Sequence, residues 1–209
     1  YGIRATVFLS LLTMAITSAL GACVGLVSGF FRNRIDDVLM RICDVMMSFP
    51  SEVMILAIVG MMGPGLENVV IANVVAKWPW YARMVRSIVR QYSDKDYIRF
   101  AKVAGGSSIR IMMRHLLPGT AGELFVLTTL DTGSVILMIS ALSFLGLGVQ
   151  PPTPEWGMML NEAKEVMTMY PLQMIPAGMA ILLVVAAFNF LGDSLRDAFD
   201  PKHAGRERS

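Results

Sequence analysis

Long apolar runs separated by short polar links make up most of this chain. Three of these runs, Ala5 to Phe31, Thr132 to Pro154 and Val166 to Gly192, contain no charged residue. A helix needs about 20 mostly apolar residues to cross the hydrocarbon core of a bilayer. Each run therefore predicts a membrane span, and the segment Leu124 to Leu130 extends the second span beyond Asp131.

Two further apolar runs contain charged residues. One covers roughly Val38 to Met62 and the other roughly Leu66 to Val89. Both are long enough to cross a bilayer, and charges within spans usually face a cavity or a partner helix. We count both as spans, which gives five in total. The charges that interrupt them include Arg41, Asp44, Glu52, Lys77 and Arg83.

The composition agrees with a membrane protein. Hydrophobic residues make up 55% of the 209 residues and charged residues 16%, whereas soluble domains carry about 25% charged residues. The net charge of +2 is too small to indicate nucleic acid as a partner. The two histidines, His115 and His203, lie too far apart for a metal-ligand motif, and Cys23 and Cys43 are best explained as small apolar residues.

The positions of lysine and arginine predict the orientation of the chain. Fifteen of the 18 basic residues lie in three segments, 32–41, 83–114 and 196–208. Cytoplasmic loops collect lysine and arginine, so we place these segments, and with them the tail 193–209, in the cytoplasm. Five spans then put the N-terminus on the outer side, together with a turn-rich loop over about 149–170.

The basic stretch over about 94–118 predicts two short amphipathic helices. Gly105 and Gly106 interrupt the helical pattern, since glycine favours turns and destabilises helix interiors. Ser107 or Ser108 can cap the second helix, which Pro118 is expected to end. The predicted apolar faces consist of Tyr97, Phe100, Ala101 and Ala104 in the first helix and of Ile109, Met112, Met113, Leu116 and Leu117 in the second.

Two interpretations of this helix pair differ in what covers its free face. One face would pack on the ends of the spans, and the other could enter a groove of a partner protein. The alternative is a basic surface helix that rests on anionic lipid headgroups. The glycine break favours the partner protein, because a helix that lies on lipid does not need the break.

The same stretch resembles the cytoplasmic coupling loop of ABC importer permeases. The family pattern is a Glu-Ala-Ala triplet, three further residues, a glycine, and an apolar run that ends in Leu-Pro. Here RFA at 99–101 stands at the triplet, Gly105 at the glycine, and LP at 117–118 at the end. Arginine replaces the glutamate and the nearest acid is Asp96, a form that is similar to the dipeptide, oligopeptide and nickel branch.

Segments along the whole chain, in the same order, resemble the C-type permease subunit of that branch. They are YGIRATVFLSLL at residue 1, DVMMSFPS at 44, GPGLENVVIA at 63, SFLGLGVQPPTPEWGMML at 143 and GDSLRDAFDPK at 192. The resemblance implies an all-α integral membrane protein with the helical bundle of a type I, methionine-importer-like ABC permease, in a single domain 1–209. Such subunits usually have six spans, so we expect a first span to precede these five.

The resemblance also implies a function. The chain would form half of a translocation pathway in the bacterial inner membrane and would not be an enzyme. Its partners in the bilayer would be a second homologous permease subunit, two ATP-binding subunits and an extracytoplasmic substrate-binding protein. ATP and Mg²⁺ would bind to the ATPase subunits, since this chain has no GxxxxGK[ST] sequence, and no cofactor is expected on the chain itself. The residues expected to couple to the ATPases are Asp96, Arg99, Phe100, Ala101, Gly105, Gly106, Ile111, Leu117 and Pro118.

Charged residues inside the spans are the candidates for contact with the substrate. Glu52, Lys77 and Asp131 are these candidate pathway residues, because intramembrane charges usually face a cavity. The alternative is a buried pairing of the two acids with Lys77 that holds helices together.

The remaining charges of the spans are expected to have structural roles. Asp44, near the cytoplasmic end, is expected to pair with Arg41. Arg83 and Arg86 are expected to extend to the cytoplasmic interface. A bend is expected after Pro50 and a kink at Pro79.

Two segments favour nickel, carried as a chelate, over a peptide. TLDTG around Asp131 and WYARMVRS at residue 80 resemble nickel-type relatives, whereas peptide permeases tend to have an uncharged residue in place of Asp131. The 17 methionines are best explained as apolar packing residues, and no metal site is expected. Import of di- or oligopeptides is the alternative. A secondary transporter or a channel is more distant, since no internal repeat or filter segment is evident.

Overall fold

The computed structural model describes residues 1–199, and every regular element in this range is helical. The last part of the predicted cytoplasmic tail, from residue 200, and His203 lie outside the described residues. A π-helical turn, Met112–Leu116, joins the helix Ser108–Ile111 to the helix Leu117–Phe144, and a 3-10 turn, Pro171–Met174, precedes the helix Ile175–Phe199. The helices are α1 (Gly2–Phe31), α2 (Arg34–Met47), α3 (Ser51–Met62), α4 (Leu66–Ser93), α5 (Asp96–Val103), α6 (Ser108–Ile111), α7 (Leu117–Phe144), α8 (Trp156–Glu165) and α9 (Ile175–Phe199).

Glycines on one face of α1 bring this helix into close contact with α4. Gly21, Gly25 and Gly29 are buried at four-residue spacing and all lie against α4. A Cβ on Gly25 would lie 2.6 Å from the carbonyl oxygen of Ala82, and a Cβ on Gly29 would lie 2.8 Å from Cγ1 of Val89. Small residues allow helices to approach closely in membranes, so this glycine face fixes α4 against α1.

The α2–α3 pair is sharply bent. The two helices meet at an angle of 81° across the short break between Met47 and Ser51, and Pro50 precedes the first residue of α3. The bend expected after Pro50 is therefore confirmed. Helix α4, in contrast, continues without a break through Pro79.

Length and apolar composition qualify three described segments as membrane spans. They are Gly2–Phe31, Ser108–Phe144 and Pro171–Phe199, and the bent α2–α3 pair qualifies as a fourth. Helix α4 is not among them, but it has 28 residues and packs along α1. We therefore count α4 as the fifth spanning helix of the bundle.

The predicted limits of two spans are wrong. The uncharged run from Thr132 to Pro154 stops being helical at Phe144, and the run from Val166 begins its regular helix only at Ile175. The residues beyond Phe144 fold back on the bundle, where Val149 is buried, after a turn at Gly146 with a φ of +78°. Val149 therefore packs within the protein, whereas Leu145 stays exposed.

Pro118 does not end the second helix of the basic stretch. The helical segment continues from Ser108 to Phe144, and Pro118 lies in the first turn of α7, directly after the π-helical turn. Proline is tolerated in a first turn, and the π-helical turn shifts the local hydrogen-bond pattern. The predicted cap is confirmed, since Oγ of Ser107 accepts a hydrogen bond from the backbone N–H of Arg110 at 3.4 Å.

Candidate functional site

A partly open cavity of about 590 Å³ lies between the α2–α3 bend and the middle parts of α4 and α7. All three candidate pathway residues, Glu52, Lys77 and Asp131, line it. The remaining lining residues are Met46, Met47, Phe49, Pro50 and Ser51 at the bend, Ala76, Trp80 and Tyr81 on α4, and Leu127, Leu130 and Ser134 on α7. The fold thus brings together charges that are far apart in the sequence.

Lys77 and Asp131 form an ion pair on the wall of this cavity. The Lys77 ammonium donates to both carboxylate oxygens of Asp131, at 2.8 and 2.9 Å, and the Tyr81 hydroxyl donates to one of them at 3.2 Å. The side chains of Lys77 and Asp131 are 17% and 22% exposed, so both reach the cavity. The pair joins α4 to α7 and also presents both signs of charge to a molecule inside.

Glu52 occupies a different position on the same cavity. It lies in the first turn of α3 and is exposed, and among residues 1–199 it forms no ion pair with Lys77. The alternative, a pairing of both acids with Lys77, therefore holds for Asp131 and is wrong for Glu52. With Glu52 unpaired, the cavity wall carries two carboxylates and one ammonium.

The sequence reasoning missed the polar and aromatic residues next to the pair. Tyr81 lies one helical turn after Lys77, and Ser134 lies three residues after Asp131. Residues at i+3 or i+4 share one face of a helix. This spacing from the charged residues was the signal that could have identified both.

The other charges of the spans pair differently from the prediction. Asp44 forms its salt bridge with Arg83 of α4 and not with Arg41. Arg86 donates through Nε and Nη2 to the buried Asp36, at 2.6 and 2.8 Å. The Asp44–Arg83 and Asp36–Arg86 pairs have one cause. The bend brings α2 against α4, so acids of α2 meet the arginines of α4.

A second ionic cluster lies at the ends of α1, α2 and α4. Asp36 is 3% exposed and also accepts hydrogen bonds from Ser28 and Arg90. Arg32 donates to the Arg90 carbonyl at 2.7 Å and to Asp94 at 3.0 Å. The hydrogen bond from the Arg32 guanidinium lowers the pKa of the Asp94 carboxyl from its ordinary value. The cluster ties the three helices together where the chain enters α5.

The basic stretch buries only part of the predicted apolar faces: Leu116 is buried as predicted, whereas Ile98 and Ile111 are buried in place of Tyr97 and Ile109. Ile98, Ile111 and Leu116 are buried and pack with the lower parts of α1 and α4. Tyr97 and Phe100 of the predicted face point outward instead, because Ile98 occupies the side of α5 that packs against the bundle. The exposed apolar side chains are Tyr97, Phe100, Val103, Ile109 and Met113, of which Phe100 is 73% and Val103 is 87% exposed.

Two glycines with different constraints join α5 to α6. Gly105 has a φ of +78° and open space around it, so its constraint is the left-handed backbone conformation. A Cβ on Gly106 would instead lie 2.8 Å from the Ala101 carbonyl oxygen. Gly106 also donates a backbone hydrogen bond to Ala101 at 3.0 Å, which closes the turn.

The loop before α8, which is predicted to lie on the outer side, is anchored by a buried carboxylate. Glu155 is 0% exposed and accepts hydrogen bonds from the hydroxyls of Thr6 and Ser140, at 2.9 and 3.1 Å, and from the backbone N–H of Met158 at 3.1 Å. The last of these caps α8. The segment PPTPEWG is thereby fixed to α1 and α7.

The described residues offer no resident metal centre. Within residues 1–199, no three side chains of His, Cys, Asp or Glu come together in a way that could hold a metal ion. A cavity with a charged wall inside a bundle of apolar helices is instead typical of membrane transport proteins.

Comparison with known proteins gives the family. The family described as "Binding-protein-dependent transport system inner membrane component" matches residues 21–204, and the chain belongs to it. The chain is therefore a multi-pass membrane protein of a permease family and not an enzyme, as the sequence predicted.

Curated relatives come from the nickel and peptide branch of ABC importers. The chain is 44% identical over 174 residues to the metal-staphylopine import system permease protein CntC of Staphylococcus aureus, covering 83% of this chain and 60% of the relative. It is 40% identical to the nickel transport system permease protein NikC of Escherichia coli, covering 90% and 68%. It is also 40% identical to the glutathione transport system permease protein GsiD of Pectobacterium atrosepticum, covering 96% and 67%.

A solved structure agrees with the predicted fold. The MetNI methionine ABC transporter, in an inward-facing conformation, superposes with a TM-score of 0.73 over 95% of each chain, at 15% sequence identity. At this identity the likeness concerns the fold alone, which is the type I importer bundle. The chain spans about 60% of the length of the metal-staphylopine permease that it matches.

Proposed function

We propose that this chain is a permease subunit of an ATP-driven, binding-protein-dependent importer and forms half of its translocation pathway. The observation that carries the proposal is the α5–α6 pair, which is seated on the bundle by Ile98, Ile111 and Leu116 and exposes apolar side chains on its outer face. A channel or a secondary transporter does not need such a surface. A subunit that is moved by a separate motor protein does need it.

The proposed motor consists of two ATP-binding subunits, which hold ATP and Mg²⁺. The exposed residues of α5–α6 would enter a groove on an ATPase subunit, as amphipathic helices do in many complexes. Ile111 supports the pair from the buried side. The proposed coupling residues are the nine predicted ones, Asp96, Arg99, Phe100, Ala101, Gly105, Gly106, Ile111, Leu117 and Pro118. When ATP brings the ATPases together, their movement would shift the equilibrium of the bundle between inward-open and outward-open states.

The other proposed partners follow from the membrane part. A second, homologous permease subunit would face the open side of the cavity, and an extracytoplasmic binding protein would deliver substrate to the loop that Glu155 anchors. The segments rich in lysine and arginine support a cytoplasmic position for the α5–α6 pair and the C-terminus. The protein would thus lie in the bacterial inner membrane with its coupling surface inside.

We propose nickel or another metal chelate as the substrate, with di- or oligopeptides as the alternative. The names of two relatives, the metal-staphylopine and nickel permeases, support the first choice, and the glutathione permease supports the second. Asp131 on the cavity wall, in a TLDTG segment that resembles nickel-type sequences, also favours the metal. The proposed substrate contacts are Glu52, Lys77 and Asp131.

The experiment is uptake in cells of the native host that lack this chain. Initial uptake of radioactive nickel and of labelled dialanine would be compared with and without the full-length gene, in cells with ATP and in cells depleted of it. We expect restoration of ATP-dependent nickel uptake. Restoration of dialanine uptake alone would decide for the peptide alternative, and uptake without ATP would contradict the importer.

A further inference from the structure

We infer that the Lys77–Asp131 pair is an exchangeable docking site for cargo that carries a carboxylate and a positive centre in the same molecule. The positive centre would be a free ammonium or a chelated metal ion. The inference rests on the proposed function and names the class of substrate that this cavity selects. It differs from the proposal that the three charges merely line a pathway.

The geometry of the pair suits such an exchange. Lys77 uses two short hydrogen bonds to Asp131, while both side chains remain partly exposed to the cavity. A cargo carboxylate that approaches Lys77 can replace Asp131 as its partner. Asp131 then keeps its hydrogen bond from Tyr81 and becomes available to the positive centre of the cargo. Lys77 and Asp131 each have a partner before and after the exchange.

The same arrangement disfavours cargo with only one sign of charge. A bare cation that is drawn to Asp131 would leave the Lys77 ammonium without a partner in a largely apolar wall, which is costly. No group of three ligating side chains occurs within residues 1–199 to compensate by binding the ion directly. A cargo with only anionic groups would meet two carboxylates, Asp131 and Glu52, for one ammonium.

The position of the pair supports contact with cargo over a purely structural bond. Lys77 and Asp131 lie near the middle of α4 and α7, opposite the α2–α3 bend, and Trp80 of the same wall is 40% exposed. The Asp44–Arg83 pair also joins two helices, yet neither residue lines the cavity. It provides a matched control with the same chemistry in a different place.

The test compares neutralised pairs in the full importer, in cells that lack the native chain. The variants are the doubles Lys77→Met/Asp131→Asn and Asp44→Asn/Arg83→Met, and membrane abundance is measured by immunoblot. The probes are radioactive nickel with glycine in excess, radioactive nickel alone, and labelled dialanine. A double neutralisation leaves no charge unpaired, so a pair with only a structural role would tolerate it.

We expect the Lys77→Met/Asp131→Asn protein to reach wild-type abundance and to lose at least ten-fold in initial uptake of the probe that the wild type imports. The Asp44→Asn/Arg83→Met protein should stay within about two-fold of wild type. For the wild type, nickel with glycine or dialanine should exceed nickel alone. Wild-type uptake by the Lys77→Met/Asp131→Asn protein would overturn the inference alone. If the protein is scarce, growth at lower temperature should restore its abundance, and wild-type uptake under those conditions would also overturn the inference. If the wild type takes up none of the probes in an ATP-dependent manner, the proposed function itself is overturned.

Discussion

Asp36 shows how one residue can hold the end of a helical bundle. Its buried carboxylate accepts hydrogen bonds from Ser28 of α1 and from Arg86 and Arg90 of α4. A carboxylate in this position would be strongly disfavoured without these partners. The two arginines compensate for its desolvation, so Asp36 stabilises the corner that carries α5.

We expect Asp36→Asn to lower the stability of the protein by about 2 kcal/mol. The loss is smaller than the roughly 3–5 kcal/mol of a fully buried pair, because Arg86 and Arg90 are partly exposed. The measurement is the thermal unfolding midpoint of the purified protein in detergent. Asp37→Asn is the matched control, since Asp37 is exposed. Equal midpoints for both variants would contradict this role of Asp36.

At the scale of elements, the glycine joint between α5 and α6 sets the direction of the exposed face. Gly105 supplies a left-handed backbone conformation, and the short α6 begins directly after its N-cap, Ser107. The joint lies outside the membrane bundle and contacts no other helix at Gly105. Changes there should therefore affect the proposed coupling surface and not the insertion of the spans.

We expect Gly105→Val to leave the membrane abundance of the protein unchanged and to abolish most uptake of the transported probe. A β-branched side chain is strained at a φ of +78°, so the helix pair would lose its angle. Gly105→Asn is the control, because asparagine tolerates the left-handed region and should retain most uptake. ATP hydrolysis by the complex, measured with and without binding protein, would show the uncoupling directly. Normal uptake by the valine variant would argue against the coupling role.

At the scale of the whole molecule, charge and exposure are distributed unevenly. Helix α9 buries only Ala177, Ile181 and Gly192, and leaves large apolar residues such as Leu183 and Phe190 exposed. Such a surface is suited to lipid or to another spanning subunit. The basic residues gather at the end of the bundle that carries α5 and α6, whereas the Glu155 loop lies at the other end.

The proposed orientation can be tested with single cysteines at these two ends. In a background with Cys23→Ala and Cys43→Ala, we expect Ala104→Cys to react with a membrane-impermeant maleimide only after the cells are permeabilised. Thr153→Cys should react in cells with an intact inner membrane. Both positions are exposed, so accessibility within the protein does not limit the labelling. The reverse pattern would place the α5–α6 pair outside.

The sequence by itself determined the class of protein and the residues of interest. Uncharged runs of sufficient length predict spans because lipid excludes charge, and paired glycines in a basic stretch predict a joint because few other residues take that turn. The same logic identified Glu52, Lys77 and Asp131 as exceptional. These features are local, so a linear reading finds them.

Only the tertiary structure decided which of these residues meet. The α2–α3 bend brings α2 against α4, which pairs Asp44 with Arg83 and Asp36 with Arg86. The packing of α4 against α7 pairs Lys77 with Asp131. Packing also decided that Ile98 faces inward while Phe100 stays exposed. Apolarity marks a residue for burial, whether in lipid, in the bundle or against a partner, and only the arrangement of the neighbouring helices selects among these.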